Sequence, residues 1–424
     1  MPIESSSTDA APGWIRPLFL FLFLAAATNA ALHKQLTAGF DELAHVSYVA
    51  YLQKTGEFWP GLDQLRLLDP KSLRFTPIAS YLNHPSPYYW LLARLGPSVE
   101  GQPGALLPLR LLNICLVGIG LAALQALGRS ARLPRLVEYA FILPILTVPA
   151  LSAITGSVNN DNLAFTGGAL ATLAAYRLYE TPAAGWLIAA LAGMIVASLA
   201  KLTGFLLVGG MIAGVLVLIA RRDGLRKDWL LLTFGAGLIA AAPYLALWAQ
   251  YGGPAPETPG HIALLQSTTP ADIGWEKAPR LSFPSYVATF ATTFIEQWTP
   301  SLGERTTLND VMLAIPVLEI LCACVGLLIS ARRVQDGRGT ASDAIIVAGA
   351  ASIAAALALH LIFSYRRHLA YAYIADAYPR YYFPLIAVAP LAGLSLLAAL
   401  PDTRLRSAAA GGLIAAPLIV TFLG

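Results

Sequence analysis

"LAGMIVASLAKLTGFLLVGGMIAG", residues 191–214, lies within an apolar run from 184 to 220 that is interrupted by "AKLTG" at 200–204. As a single helix at 1.5 Å per residue the run would measure about 55 Å, nearly twice the hydrocarbon core of a bilayer. It therefore reads as two spans joined by a tight hairpin at Lys201. The choice matters because every later connection changes sides with it.

The rest of the chain agrees with a membrane reading. Of its 424 residues 57% are hydrophobic and 12% charged, with a mean hydropathy of +0.63. A soluble domain carries about a quarter charged residues. Further runs of spanning length lie at 14–32, 109–127, 136–156, 161–179, 229–249, 309–330, 343–363, 382–399 and 407–423. The expected fold is all-α, a single polytopic domain over 1–424 with about 11 transmembrane helices. Glu4 and Asp9 precede the first run with no lysine or arginine, so that run reads as a span rather than a signal-peptide core.

Charge sets the orientation. Basic clusters follow the second span (Arg129, Arg132, Arg135), the sixth (Arg221, Arg222, Arg226, Lys227), the eighth (Arg332, Arg333, Arg338) and the tenth (Arg404, Arg406). These loops are cytoplasmic by the positive-inside rule, and a single span at 184–220 would invert everything after it. Segments 33–108, 250–308 and 364–381 then lie outside, which in a bacterial inner membrane is the periplasm. The net charge of +4 comes as short clusters between apolar runs, which excludes a nucleic-acid footprint. Cys115, Cys322 and Cys324 all fall within apolar runs and imply neither disulfides nor a metal site.

The outside loops hold the chemistry. The first is too long for a plain connection and is expected to form helices of its own. "DELAHVSYVAYLQKTG" (41–56) has helical spacing with an apolar stripe of Leu43, Val46, Val49 and Ala50, suited to a helix on the bilayer surface, and Gly56 as its stop. Asp41 and Glu42 fit two roles equally, capping that helix or catalysis. His45 is placed to pair with either. In "NHPSPYYWLLARLGP" (83–97), Tyr88, Tyr89 and Trp90 read as an interfacial belt or as a lining for lipid or sugar. Arg110 stands at the mouth of the second span.

"TGSVNNDNLA" (155–164) offers Asn159, Asn160 and Asp161 as helix caps or as holders of sugar hydroxyls. Arg366, Arg367, His368, Asp376 and Arg380 crowd a short outside loop where basic residues are normally avoided, and anion binding is the simplest reason. Glu319 is the one carboxylate well inside a span, a functional candidate by default.

With these pieces placed, the sequence resembles the GT-C glycosyltransferases, polytopic enzymes that use a polyprenyl-phosphate sugar as donor. "FDELAH" (40–45) is similar to the "DE..H" motif of protein O-mannosyltransferases, and "HPSPYYWLLA" (84–93) to the "PPLYYWLLA" of aminoarabinose and mannosyl transferases. "LRLLN" (109–113), "SVNND" (157–161), "KLTG" (201–204) and "PRYYFPLIAVAP" (379–390) resemble further recurrent patterns in the same order. "PSP" replaces "PPL", and a large C-terminal soluble domain is not expected.

The resemblance implies sugar transfer at the outer face to a glycan, lipid or protein acceptor. Asp41 would serve as general base with Glu42 in reserve, and the configuration would invert. Arg380, Arg366, Arg367 and Lys201 would hold the lipid phosphate. His45, His84, Tyr88, Arg110, Asn159, Asn160, Asp161 and Tyr381 complete the expected substrate-binding set. A divalent cation is used at the acidic motif by some members of that superfamily, but the sequence does not require one. The rival reading is a secondary transporter or flippase coupled through Glu319.

Overall fold

The computed structural model describes residues 14–131, 135–224, 226–267, 273–297, 310–374, 377–401 and 403–423. The protein is mostly helical. In chain order the helices are α1 (Ile15–His33), α2 (Glu42–Thr55), α3 (Pro87–Leu95), α4 (Leu106–Ser130), α5 (Arg135–Leu146), α6 (Pro149–Thr155), α7 (Asp161–Glu180) and α8 (Ala184–Ala200). There follow α9 (Leu202–Asp223), α10 (Lys227–Tyr251), α11 (Pro259–Ser267), α12 (Phe283–Glu296), α13 (Asp310–Gln335), α14 (Ala341–Tyr371), α15 (Val388–Ala399) and α16 (Thr403–Leu423). A 3₁₀ segment, Pro379–Leu385, leads into α15.

Each apolar run is largely helical wherever the chain is described. Among the described residues, four helices are long and apolar enough to cross a bilayer: α4 with its preceding turn, α9, α10 and α14. The Pro379–Leu385 segment and α15, bent by 66°, make a fifth if taken together. The expected span at 136–156 is split. Pro149 disfavours helical geometry at the residue before it, and Val148 accordingly takes ψ 109° between α5 and α6.

The hairpin at 200–204 is a single extended residue, Lys201, between α8 and α9 (φ −164°, ψ 155°). Gly204 makes so short a turn possible, since a Cβ there would stand 2.5 Å from the Ala197 carbonyl oxygen. The same device joins α7 to α8. A Cβ on Gly167 would lie 2.5 Å from the Ala197 nitrogen, and one on Gly193 would lie 2.7 Å from that of Ala171. Small residues let helix backbones touch where no hydrophobic effect drives them together.

The basic loops gather at one end of the bundle, where Arg222 donates to the Tyr179 carbonyl (3.0 Å) and Arg333 to Ser395 (3.1 Å). The loops expected outside gather at the other end. Tyr251 Oη accepts from Leu62 N–H at 2.7 Å, and Arg280 Nε donates to the Leu369 carbonyl at 2.9 Å.

The first outside loop differs from its expectation in two ways. It contains a short antiparallel hairpin, β1 (Arg66–Leu68) and β2 (Phe75–Ala79), paired Arg66 to Ala79 and Leu68 to Phe75. And α2, ending at a left-handed Gly56, does not lie on a surface: every residue from Ala44 to Ala50, and Leu52, is buried. The loop builds its own core, in which Tyr48, Tyr88, Tyr89, Leu62, Leu65 and Leu68 are fully enclosed. Tyr88 and Tyr89 therefore form no interfacial belt.

Candidate functional site

The turn that launches α2 is built from three successive left-handed residues, Gly39 (φ 76°), Phe40 (φ 60°) and Asp41 (φ 60°). For the two that carry side chains this costs about 1–2 kcal/mol each. The neighbourhood holds the turn in place. Asn159 Nδ2 donates to the Phe40 carbonyl at 2.8 Å, and Lys34 Nζ reaches that of Gly39 at 3.3 Å.

Asp41 sits at the N-cap position of α2, yet its side chain makes no capping bond. Its Oδ2 accepts instead from Arg380 Nη2 at 2.8 Å, and its Oδ1 from Tyr81 Oη at 3.2 Å. Although burial works against ionisation, the Arg380 charge and these two hydrogen bonds hold its carboxyl below the usual carboxylate range. The side chain keeps 39% of its surface exposed.

Glu42, its neighbour, is wholly buried. Arg110 grips it side-on, Nε to Oε1 at 2.8 Å and Nη2 to Oε2 at 2.9 Å, while Lys34 Nζ lies 3.0 Å from Oε2. Val158 N–H supplies a fourth donor at 2.9 Å. Arg110 Nη1 also donates to the Ala31 carbonyl (2.6 Å) and Lys34 to Ser157 Oγ (2.8 Å). Burial lowers the Lys34 pKa, and Glu42 partly offsets it. This cluster ties α1, α2, α4 and the 155–160 connection together beneath Asp41. Its geometry suits a strut for the turn.

Beside Asp41 stands a second pair. Lys201 Nζ donates to Asp161 Oδ1 and lies 4.3 Å from the Tyr381 ring centroid. Asp161 Oδ2 is 3.7 Å from Arg380 Nε. Asn159 and Asn160 are spacers: Asn159 Oδ1 accepts the Asp161 N–H at 2.8 Å, and Asn160 Nδ2 donates to the Ala200 carbonyl at 2.9 Å. Gly168 brings Arg380 to this place, because a Cβ there would collide with the Pro384 carbonyl that packs on α7.

Arg380 is only 8% exposed. Its guanidinium is flanked by the rings of Tyr378 (4.8 Å), Phe40 (5.6 Å) and Tyr381 (5.7 Å). Among the described residues it makes one hydrogen bond, to Asp41, and its Nε has no hydrogen-bond partner. Guanidinium has five N–H donors, so most of those of this buried arginine are not engaged in hydrogen bonds to the described residues.

The histidines back this group. His45 Nδ1 is 2.9 Å from Tyr89 Oη, and its ring lies parallel to that of His84 (3°, centroids 6.3 Å apart). Burial pulls the His45 pKa down to about 4 against the attraction of Asp41 and Asp161, and takes that of His84 well below its ordinary value. Both rings are neutral at pH 7.

Of the residues singled out in the sequence, Asp41, Asp161, Lys201, Arg380 and Tyr381 come together, with Asn159 and Asn160 behind them. Glu42 and Arg110 lie in the strut. Tyr88 is inside the loop core, its hydroxyl on Asn113 Oδ1 at 2.7 Å. Arg367 pairs with Glu257 at 3.2 Å, and Arg366 is exposed; Asp376 falls outside the described residues. Glu319 sits in α13 with Oε1 buried and without a hydrogen-bond partner among the described residues. No cluster of three His, Cys, Asp or Glu side chains suited to a metal ion occurs among those residues.

Sequence reasoning missed Tyr81, Phe40, Tyr378 and Lys34. Lys34 had a signal: it is a basic residue in a loop expected to lie outside, the same anomaly that singled out Arg380.

The fold and site define a polytopic, mostly helical membrane protein with a charged site at one end of its bundle. Residues 52–389 match the family described as "Predicted membrane protein (DUF2142)", and the chain belongs to that family. No curated protein matches it. Among solved structures it is similar to ArnT from Cupriavidus metallidurans bound to undecaprenyl phosphate, at 18% identity and a TM-score of 0.47 over 92% of this chain and 61% of that one. It is also similar to the apo state of ArnT from the same organism, at 14% identity and a TM-score of 0.41 over 91% and 77%. The chain thus spans about 61% of the length of the first of these.

Proposed function

We propose that the protein is a membrane glycosyltransferase that moves a sugar from a polyprenyl-phosphate donor to an acceptor hydroxyl. The site would face the periplasm of a bacterial inner membrane, where a glycan, lipid or protein serves as acceptor. The observation that carries this reading is the buried Arg380, which uses one of its donors and lies beside an ionised, accessible Asp41.

The chemistry follows from that adjacency. The acceptor oxygen attacks the anomeric carbon as its proton passes to Asp41. The bond from that carbon to the phosphate oxygen breaks, and its electron pair leaves with the phosphate. Arg380, through the donors not engaged by Asp41, and Lys201 would neutralise the developing charge. Base and leaving group on opposite sides of the carbon would invert its configuration. His45, buried, and His84, half-buried, both neutral, would line the site without competing for the phosphate, and Tyr381 would steady both cations.

The test is to incubate the purified protein in nanodiscs with polyprenyl-phosphate sugars and candidate acceptors. The expected result is release of polyprenyl phosphate in proportion to glycosylated acceptor. A protein that releases none from any donor in a broad panel would contradict the reading.

A secondary transporter or flippase is the second reading, favoured by Glu319 Oε1, which is buried and has no hydrogen-bond partner among the described residues. Transport that is abolished by Glu319→Gln and untouched by Asp41→Asn would establish it.

A further inference from the structure

The segment Ser80–Asn83, which leaves β2, carries the second hydrogen bond to Asp41. Tyr81 Oη donates to Oδ1, the oxygen opposite the one held by Arg380. The second outside loop grips this same segment from its far side. Asn83 Nδ2 donates to the Pro256 carbonyl at 3.0 Å. At the start of α11, Gly260 packs directly on the Ser80 carbonyl, and a Cβ there would collide with that oxygen. Tyr81 thus lies between two anchored residues with its phenol on Asp41. Burial, then the Asp41 charge, raise the phenol's pKa, so it remains a donor at any working pH.

We infer that Tyr81 is a positioning residue for Asp41, and that the second outside loop sets its place through Gly260 and Asn83. The inference rests on the reading of Asp41 as the base. A carboxylate free to rotate presents its lone pairs in many directions. One held at both oxygens presents them in a single direction, which is the geometric requirement for taking a proton as a bond forms. The turn beneath Asp41 fixes only its backbone, because no cap bond locks the side chain. Arg380 alone would hold it as a hinge, and Tyr81 supplies the second point.

Arg380, His45 and Tyr81 act directly on the Asp41 carboxylate, and Lys201 and His84 lie within range of its charge. Tyr81 is joined to the second outside loop through Ser80 and Asn83, and His84, next to Asn83, faces His261 of the same loop. Tyr81→Phe removes the phenol and leaves the His84 link in place, which separates this proposal from a general loosening of the site.

The test is an infrared titration of the full chain in nanodiscs, with the Asp41 carboxyl band assigned by its loss in Asp41→Asn. Loss of the phenol donor in Tyr81→Phe should raise the Asp41 midpoint by about 0.5–1 pH unit, the effect of one net hydrogen bond. Gly260→Ala and Asn83→Ala should shift it in the same direction. With a donor that is turned over, Tyr81→Phe should lower kcat and leave KM for the donor unchanged. An unmoved midpoint in Tyr81→Phe would overturn the proposal. Unmoved midpoints in both loop variants would overturn its second half. A moved midpoint with unchanged turnover would uphold the positioning and count against Asp41 as base.

Discussion

Arg380 Nη2 donates to Asp41 Oδ2 at 2.8 Å, joining residues 339 positions apart. One lies at the start of α2 and the other at the start of the bent segment before α15. Between them the α7–α8–α9 unit supplies Asp161 and Lys201. Four charged side chains from four separate stretches of chain thus meet at one end of the bundle, two acidic and two basic.

Asp41 and Glu42 should separate cleanly on substitution. Asp41→Asn is expected to reduce turnover about 10²–10⁴-fold, since an amide accepts no proton. The fold should persist, because asparagine tolerates a left-handed backbone. Glu42→Gln leaves Arg110 and Lys34 buried without their counter-charge, which costs about 3–5 kcal/mol. Paired measurements of turnover and thermal unfolding check both, and a stable Glu42→Gln protein would remove Glu42 from the role of strut.

Gly168→Ala should push the Pro379–Leu385 segment off α7 and displace Arg380. Overpacking of this kind costs about 1–3 kcal/mol. The expected outcome is a lower melting temperature together with weaker lipid-phosphate binding. Gly185→Ala, at a glycine with open space around it, should change neither.

The histidines predict an acid-sensitive fold. With pKa values lowered on folding, His45 and His84 bind more protons in the unfolded chain than in the native one below pH 6.5. Stability should therefore fall as pH drops from 6.5 toward 4, and be fully present above that window. Melting temperatures across pH 4–7 test this, and a His45→Gln/His84→Gln double variant should show a flatter profile than wild type.

Orientation is open to direct chemical labelling. An impermeant thiol reagent applied to intact cells should modify a cysteine placed at Glu57 and spare one placed at Asp228. Both positions are exposed, so access is decided by the membrane alone. The opposite pattern would invert the topology.

Much of this arrangement is legible in the sequence, and the reasons differ by element. The Lys201 hairpin follows from run length and loop charge, because bilayer thickness is a hard limit. Arg380 and Lys201 stand out as cations at the face that the loop charges predict to be outside. The burial of α2 was not legible. An apolar stripe on an external helix is ambiguous between lipid and protein, and here α3 and the β1–β2 hairpin supply the protein. The bridge from Tyr81 to Asp41 was equally hidden, since a lone tyrosine before "NHPSP" carries no periodic or charge signal. The role of Asp41 as a cap was ruled out only by side-chain direction, which a string of residues does not record.

The central claim is that Arg380 is the receptor for a lipid phosphate. The most direct test measures polyprenyl phosphate binding to the wild type, Arg380→Lys and Arg380→Ala in nanodiscs, with the corresponding polyprenol as control. Charge-assisted hydrogen bonds to a buried guanidinium contribute about 1.5–3 kcal/mol each. The account predicts at least about tenfold weaker binding in Arg380→Ala, an intermediate loss in Arg380→Lys, and indifference of the polyprenol to either change. Equal affinity of the phosphate for all three proteins would contradict it.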